Sequence, residues 1–114
     1  MTTSGNGERI SVLEDIQEDI SATSHSKGWW ETDRSDGEAI VLIHSELSEA
    51  VEYLRHGNPA SDHIPGFSGV EEELADAIIR IFDLAAERRW DVAGALVAKM
   101  EFNNTRPYKH GKVF

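Results

Sequence analysis

Ser35-Asp-Gly-Glu38-Ala-Ile40-Val-Leu-Ile43-His44-Ser-Glu46-Leu47-Ser-Glu49-Ala-Val51-Glu-Tyr-Leu54-Arg55 is the stretch on which the fold turns. Ile40, Ile43, Leu47, Val51 and Leu54 recur at three- and four-residue intervals, which places them along one face of a 3.6-residue helix. Ser35 and Glu38 have the spacing of a capping box, in which each side chain satisfies the other residue's backbone N–H, so the helix is expected to begin near Ser35. It is expected to end around Arg55 to Gly57, where a glycine can take the left-handed stop conformation and Pro59 follows shortly after.

The pattern repeats outward from this helix. Gly57 to Phe67 carries two prolines and two glycines and reads as a loop. Ser68 and Glu71 then repeat the capping-box spacing, and Leu74, Ala77, Ile78, Ile81, Phe82 and Ala85 make a strongly apolar third helix to about Glu87. Asp91 can cap a fourth helix that runs through Leu96 and Met100 to about Asn103. Upstream, Ile10, Leu13, Ile16, Gln17 and Ile20 mark a first helix from Glu8 to about Ser24, expected to pack as a cover. Pro107 forbids easy continuation of the last helix and pushes Arg106 toward extended geometry. The expectation is therefore all-α: a flexible start over 1–7, a four-helix domain over 8–104 and a basic tail over 105–114. No strand pattern competes.

A chain of 114 residues with 39% hydrophobic content fits one domain, but it has little interior for a deep private pocket. A site shared between subunits would relieve that shortage. The formal net charge of −10 argues against a nucleic-acid polymer as partner, because phosphate neutralisation along a duplex needs clustered Lys and Arg. An acidic chain that handles phosphates is expected to use metal ions. With no cysteine, thiolate zinc sites, disulfides and cysteine nucleophiles are excluded. Neither a signal-peptide pattern nor a membrane-length apolar run is present, so the reading is a cytoplasmic protein.

Glu46 and Glu49 are three apart on the second helix, and Glu73 and Asp76 are three apart on the third. Each pair shares a helical face with Cβ atoms roughly 5–6 Å apart. Acids on a helix are ordinarily a solvated face, but two matching pairs on helices joined by a short loop can face each other. Four carboxylates so placed suit a hard cation, Mg2+ or Mn2+, and the phosphoryl chemistry such ions support. Iron-carboxylate bundles require Glu-x-x-His, which this chain lacks. The Glu46/Glu49 pair is also the expected source of a general base.

Lys99 and Asn103 are four apart on the fourth helix, where an ammonium and an amide can both donate to phosphate oxygens. Arg106, Lys109, His110 and Lys112 add positive charge suited to a triphosphate tail, although a solvated terminus explains Lys109 and Lys112 equally well. Trp29 and Trp30 are too costly to expose, and offer either a stacking surface for a base or packing material. His44, on the apolar stripe, reads as a core or interface residue. Arg80, four after Asp76 and three before Asp83, reads as the middle of an intrahelical ion-pair ladder orienting Asp76, with Asp83 structural.

Three ordered motifs, His44-Ser-Glu46-Leu-Ser-Glu49-Ala, Glu73-Leu-Ala-Asp76, and Lys99-Met-Glu-Phe-Asn103 followed by Arg106-Pro-Tyr-Lys-His-Gly-Lys112, resemble the MazG-like all-α nucleoside triphosphate pyrophosphohydrolases. The resemblance spans roughly Lys27 to Lys112 and includes Gly28-Trp29-Trp30. It implies Mg2+ ligation by Glu46, Glu49, Glu73 and Asp76, and hydrolysis between the α and β phosphates of an NTP or dNTP. It also implies a homodimer or a dimer of dimers whose pocket is completed by a second chain. The alternative from another class is a non-catalytic helical module that senses nucleotides or bridges protein partners.

Overall fold

A computed structural model describes residues 3–113 of the chain. Met1, Thr2 and Phe114, at the ends of the expected flexible start and basic tail, and the side chains of Thr3, Ser4 and His110 lie outside the described residues. Four helices follow in order: α1 (Thr3–Ser26), α2 (Asp36–Arg55), α3 (Gly69–Arg88) and α4 (Val92–Asn104), then a single 3-10 turn over Tyr108–Gly111. Among the described residues there is no strand, only an isolated antiparallel bridge between Ala60 and Ser68.

Local chemistry sets most of the boundaries. Ser35 and Ser68 each accept the N–H of the glutamate three residues on, at 3.1 and 3.2 Å, and both glutamates accept the capping serine's N–H in return. Asp91 caps α4 by accepting the N–H of Gly94 at 2.9 Å. After α2, Gly57 adopts φ +81, the left-handed conformation a glycine enters without steric cost, and Asn58 follows with φ 51. Its side chain then accepts the Val70 N–H at 3.0 Å and pins the loop to the first turn of α3. The helix at the amino end departs from expectation. It begins at Thr3, within the stretch read as flexible, and Asn6 donates to Glu101, which ties that early turn to α4.

The connecting loop makes α2 and α3 antiparallel. At one end Tyr53 of α2 packs over Gly69, where any Cβ would collide with the ring. At the other, the Arg88 guanidinium donates to Asp36 at 2.5 Å and to the Arg34 carbonyl at 2.6 Å. α3 is the central element, packed most extensively on α2 and also on α1, while α4 leans on α1. Ser24 donates to Asp83 at 2.6 Å and His25 contacts Glu87 at 2.6 Å, so α1 runs alongside α3 in the same direction.

The core is built largely from small residues. Ala39, Ala50, Ala77, Ala85 and Ala93 are buried together with Phe82, Leu84 and Val97. Alanines let α2 and α3 approach closely, and most of the apolar stripe that defines α2 faces outward instead, with Ile43 half-buried. Leu47 is 44% exposed, Val51 49% and Leu54 61%, and on α3 Leu74, Ile78 and Ile81 are likewise exposed. The α2–α3 pair thus carries large apolar side chains outside the core. No helix among the described residues is long and apolar enough to cross a membrane.

Candidate metal centre

Glu46 of α2 meets Glu73 and Asp76 of α3 across the antiparallel pair. One carboxylate oxygen from each lies within 4.8 Å of the others, and all three residues are half-buried. Three carboxylates this close resist full ionisation. Burial first, then the Glu46 carboxylate it hydrogen-bonds and the charges of Glu46, Asp76 and Glu72, push Glu73 up to about 7. Asp76 is raised as well, by burial and then by Glu46 and Glu72, against the opposing pull of Arg80 and His63. Three oxygen donors so placed could hold a divalent cation.

Glu49, the fourth expected ligand, is exposed one turn along α2, and the trio forms without it. The Arg80 ladder takes a different form from the expected one. Its guanidinium Nε donates at 2.7 Å to Glu46, across the helix pair rather than along α3, because the Glu46 side chain is only 13% exposed and needs a partner. Asp83 is structural, as read: it accepts from Ser24 on α1 and from the Trp30 indole N–H at 3.1 Å. Trp30 is thereby fixed between elements, with Arg34 and Arg88 each 5.6 Å from its ring centroid. Its neighbour Trp29 is different. It is 45% exposed, has Arg80 at 5.0 Å, and lines a cavity of about 420 Å3 together with Ile20, Ile79, Glu46 and Asp76.

The cations expected to bind phosphate are gathered elsewhere. Lys99 and Arg106 both lie near one aromatic ring, at 4.8 and 5.5 Å from the Phe102 centroid, and Lys109 sits 5.8 Å from the Tyr108 centroid. Asn103 is half-buried, with an amide oxygen that finds no donor among the described residues. None of the four lines the cavity beside the acids of the same chain. His44, placed on the stripe, is exposed rather than in the core.

Sequence reasoning missed a cluster on the same turn of α3 as Glu73. Glu72 accepts from the Ser61 hydroxyl at 2.5 Å and contacts His63 Nδ1 at 2.7 Å, stapling the 57–67 loop against the turn of α3 that carries Glu73. The hydrogen bond and charge of Glu72 raise the His63 pKa above its ordinary value. The one advance signal was Glu72 beside Glu73; its partners arrive by loop closure, which no local spacing reveals.

Comparison of the chain with models of known protein families, with characterised proteins and with solved structures finds no match. The class that fold and site define is accordingly a coarse one: an all-α protein of four packed helices with a carboxylate trio between α2 and α3.

Proposed function

We propose that this protein hydrolyses nucleoside or deoxynucleoside triphosphates to the monophosphate and pyrophosphate with Mg2+, in the manner of the MazG-like enzymes its motifs resemble, and so acts in nucleotide-pool control. The observation that carries the reading is the convergence of Glu46, Glu73 and Asp76 beside a cavity with an indole in its wall. An all-oxygen donor set with a strongly raised carboxyl fits a hard divalent cation, Mg2+ with Mn2+ as substitute. Glu46, Glu73 and Asp76 would hold it, with Glu49 completing the set from the next turn. Such an ion, when bound, neutralises phosphate charge and acidifies a coordinated water.

The chain's own groups divide the remaining work. Arg80 holds Glu46 in place through its 2.7 Å contact. Glu49 is exposed and no ion pair engages it among the described residues, so of the Glu46/Glu49 pair it is the freer to take a proton from water. Trp29 walls the space for a base, whereas Trp30 is committed to Asp83. Lys99, Asn103, Arg106 and Lys109 reach phosphate from a second copy of the chain, docked through the outward apolar face of α2 and α3 as a homodimer or a dimer of dimers.

The test is pyrophosphate release from a panel of NTPs and dNTPs with Mg2+ and with chelator. Glu49→Ala and Asp76→Ala should each abolish release with the helical circular dichroism unchanged; near-normal turnover in either removes the mechanism. Nucleotide binding without release would instead support a non-catalytic nucleotide-sensing or protein-interaction module.

A further inference from the structure

We infer that Arg80 is a phosphate contact of the cavity between α1 and α3: its terminal amino groups donate to the phosphate nearest the sugar of a nucleotide whose base lies against Trp29. This rests on the hydrolytic reading above, and adds to it a cation supplied by the same chain that carries the acids. Arg80 is the one cation in the cavity lining, where the other charged groups are Asp19, Glu46, Asp76 and Asp83.

The guanidinium is anchored without being saturated. Its hydrogen bond to Glu46, at 2.7 Å, uses Nε alone, and among the described residues no hydrogen bond engages either terminal amino group. Trp29 lies 5.0 Å away, a contact with the ring that consumes no N–H. The side chain is only 26% exposed, so water reaches these donors in part, and an arginine stays charged whatever the pH. Donors so placed call for an acceptor from a ligand.

A nucleotide carries acceptors of two kinds, phosphate oxygens and base carbonyls, and the placement of Arg80 favours phosphate. Because Nε is bonded to Glu46, one of the trio, the terminal nitrogens of the same planar group lie beside the cation site. Asp76, Arg80 and Asp83 follow at four and three residues along one face of α3. Arg80 thus stands between a metal ligand and Asp83, a carboxylate already occupied by Ser24 and Trp30. A phosphate bound to the ion meets Arg80 on its cavity side, where a forked, charge-assisted contact is stronger than one to a neutral carbonyl. Lys99, Arg106 and Lys109 of a second copy are then left for the departing pyrophosphate.

The test compares the intact protein with Arg80→Gln, which removes the charge, and Arg80→Lys, which keeps the charge without the fork. Circular dichroism checks the fold and electron paramagnetic resonance measures Mn2+ binding. Calorimetry then titrates the deoxynucleosides of adenine, guanine, cytosine, uracil and thymine, and their 5′-monophosphates, at Mn2+ that saturates each variant. A weakened hold on Glu46 is thereby not read as lost phosphate binding. The best-bound monophosphate should weaken by about tenfold or more in Arg80→Gln while its nucleoside keeps its affinity, with Arg80→Lys in between. The kcat/KM for the matching triphosphate should fall by a similar factor. Equal weakening of monophosphate and nucleoside assigns Arg80 to the base, and unchanged affinities reduce it to a prop for Glu46; either overturns the inference while leaving Mg2+-dependent hydrolysis standing. Should Arg80→Gln unfold, Arg80→Lys decides by whether the gap between monophosphate and nucleoside narrows. If the intact protein cleaves no triphosphate, the hydrolytic reading fails; the phosphate contact then stands if that gap depends on Arg80 and falls if it does not.

Discussion

Glu73 is the residue at which electrostatics and packing meet. Its carboxyl has a pKa of about 7 in the folded chain against an ordinary 4.5, so between those values the folded chain keeps a proton the unfolded chain has released. That contribution to stability is present near pH 4.5 and lost as pH rises through 7. Metal-free protein in chelator should therefore melt higher at pH 5 than at pH 8, by a few degrees or so for a domain of this size. Asp76, raised by burial, and His63, raised by Glu72, slope the same way, so the diagnostic comparison is with Glu73→Gln. That variant should flatten the pH dependence of Tm and raise Tm at pH 8, while reducing pyrophosphate release by about a hundredfold or more. An unchanged slope would mean the carboxyl is not crowded in solution. A second residue-scale prediction concerns Arg89, which ends α3 at φ 59, a conformation costly for a residue with a Cβ. Arg89→Gly should stabilise the fold by about 0.5–1 kcal/mol, read by urea denaturation.

At the scale of elements, the α2–loop–α3 unit decides where the acids meet. Its register depends on Tyr53 lying across Gly69 and on Asn58 holding the Val70 N–H. Gly69→Ala forces the Tyr53 ring aside and should cost about 1–3 kcal/mol. It should also lower activity by more than the stability loss explains, since the whole of α3 slides relative to Glu46. Ser68→Ala removes one cap and should cost about 1 kcal/mol with activity per folded molecule retained. Chemical denaturation together with kcat separates the two cases, and equal effects of both variants on kcat would deny that register is at stake.

Over the whole molecule, the notable imbalance is a core of alanines beneath an outer face of leucine, isoleucine and valine. Leu47, Val51 and Leu54 of α2 and Leu74, Ile78 and Ile81 of α3 are all more than a third exposed. If that face joins two copies, Ile78→Glu should convert the assembly to monomers in light scattering with helicity preserved. Activity should fall with it, because Lys99, Arg106 and Lys109 do not line the cavity of their own chain. A wild-type protein that is monomeric at micromolar concentration would remove the shared-site arrangement.

What the chain's order of residues determined by itself was local: three helix starts written as Ser35, Ser68 and Asp91, the stop at Gly57, and four helices with no strand among the described residues. Such features depend on contacts within a few residues, which spacing displays directly. Period also placed Glu73 with Asp76 on one face and Glu46 on another. Only the tertiary structure decided that these three converge while Glu49 stays outside, that Arg80 reaches across to Glu46, and that Trp29 and Trp30 part company. It likewise turned alanines inward and the apolar stripe outward. Helical periodicity says which residues share a face but not which neighbour that face meets; that is fixed by how closely two rods can approach, and here small side chains set the distance.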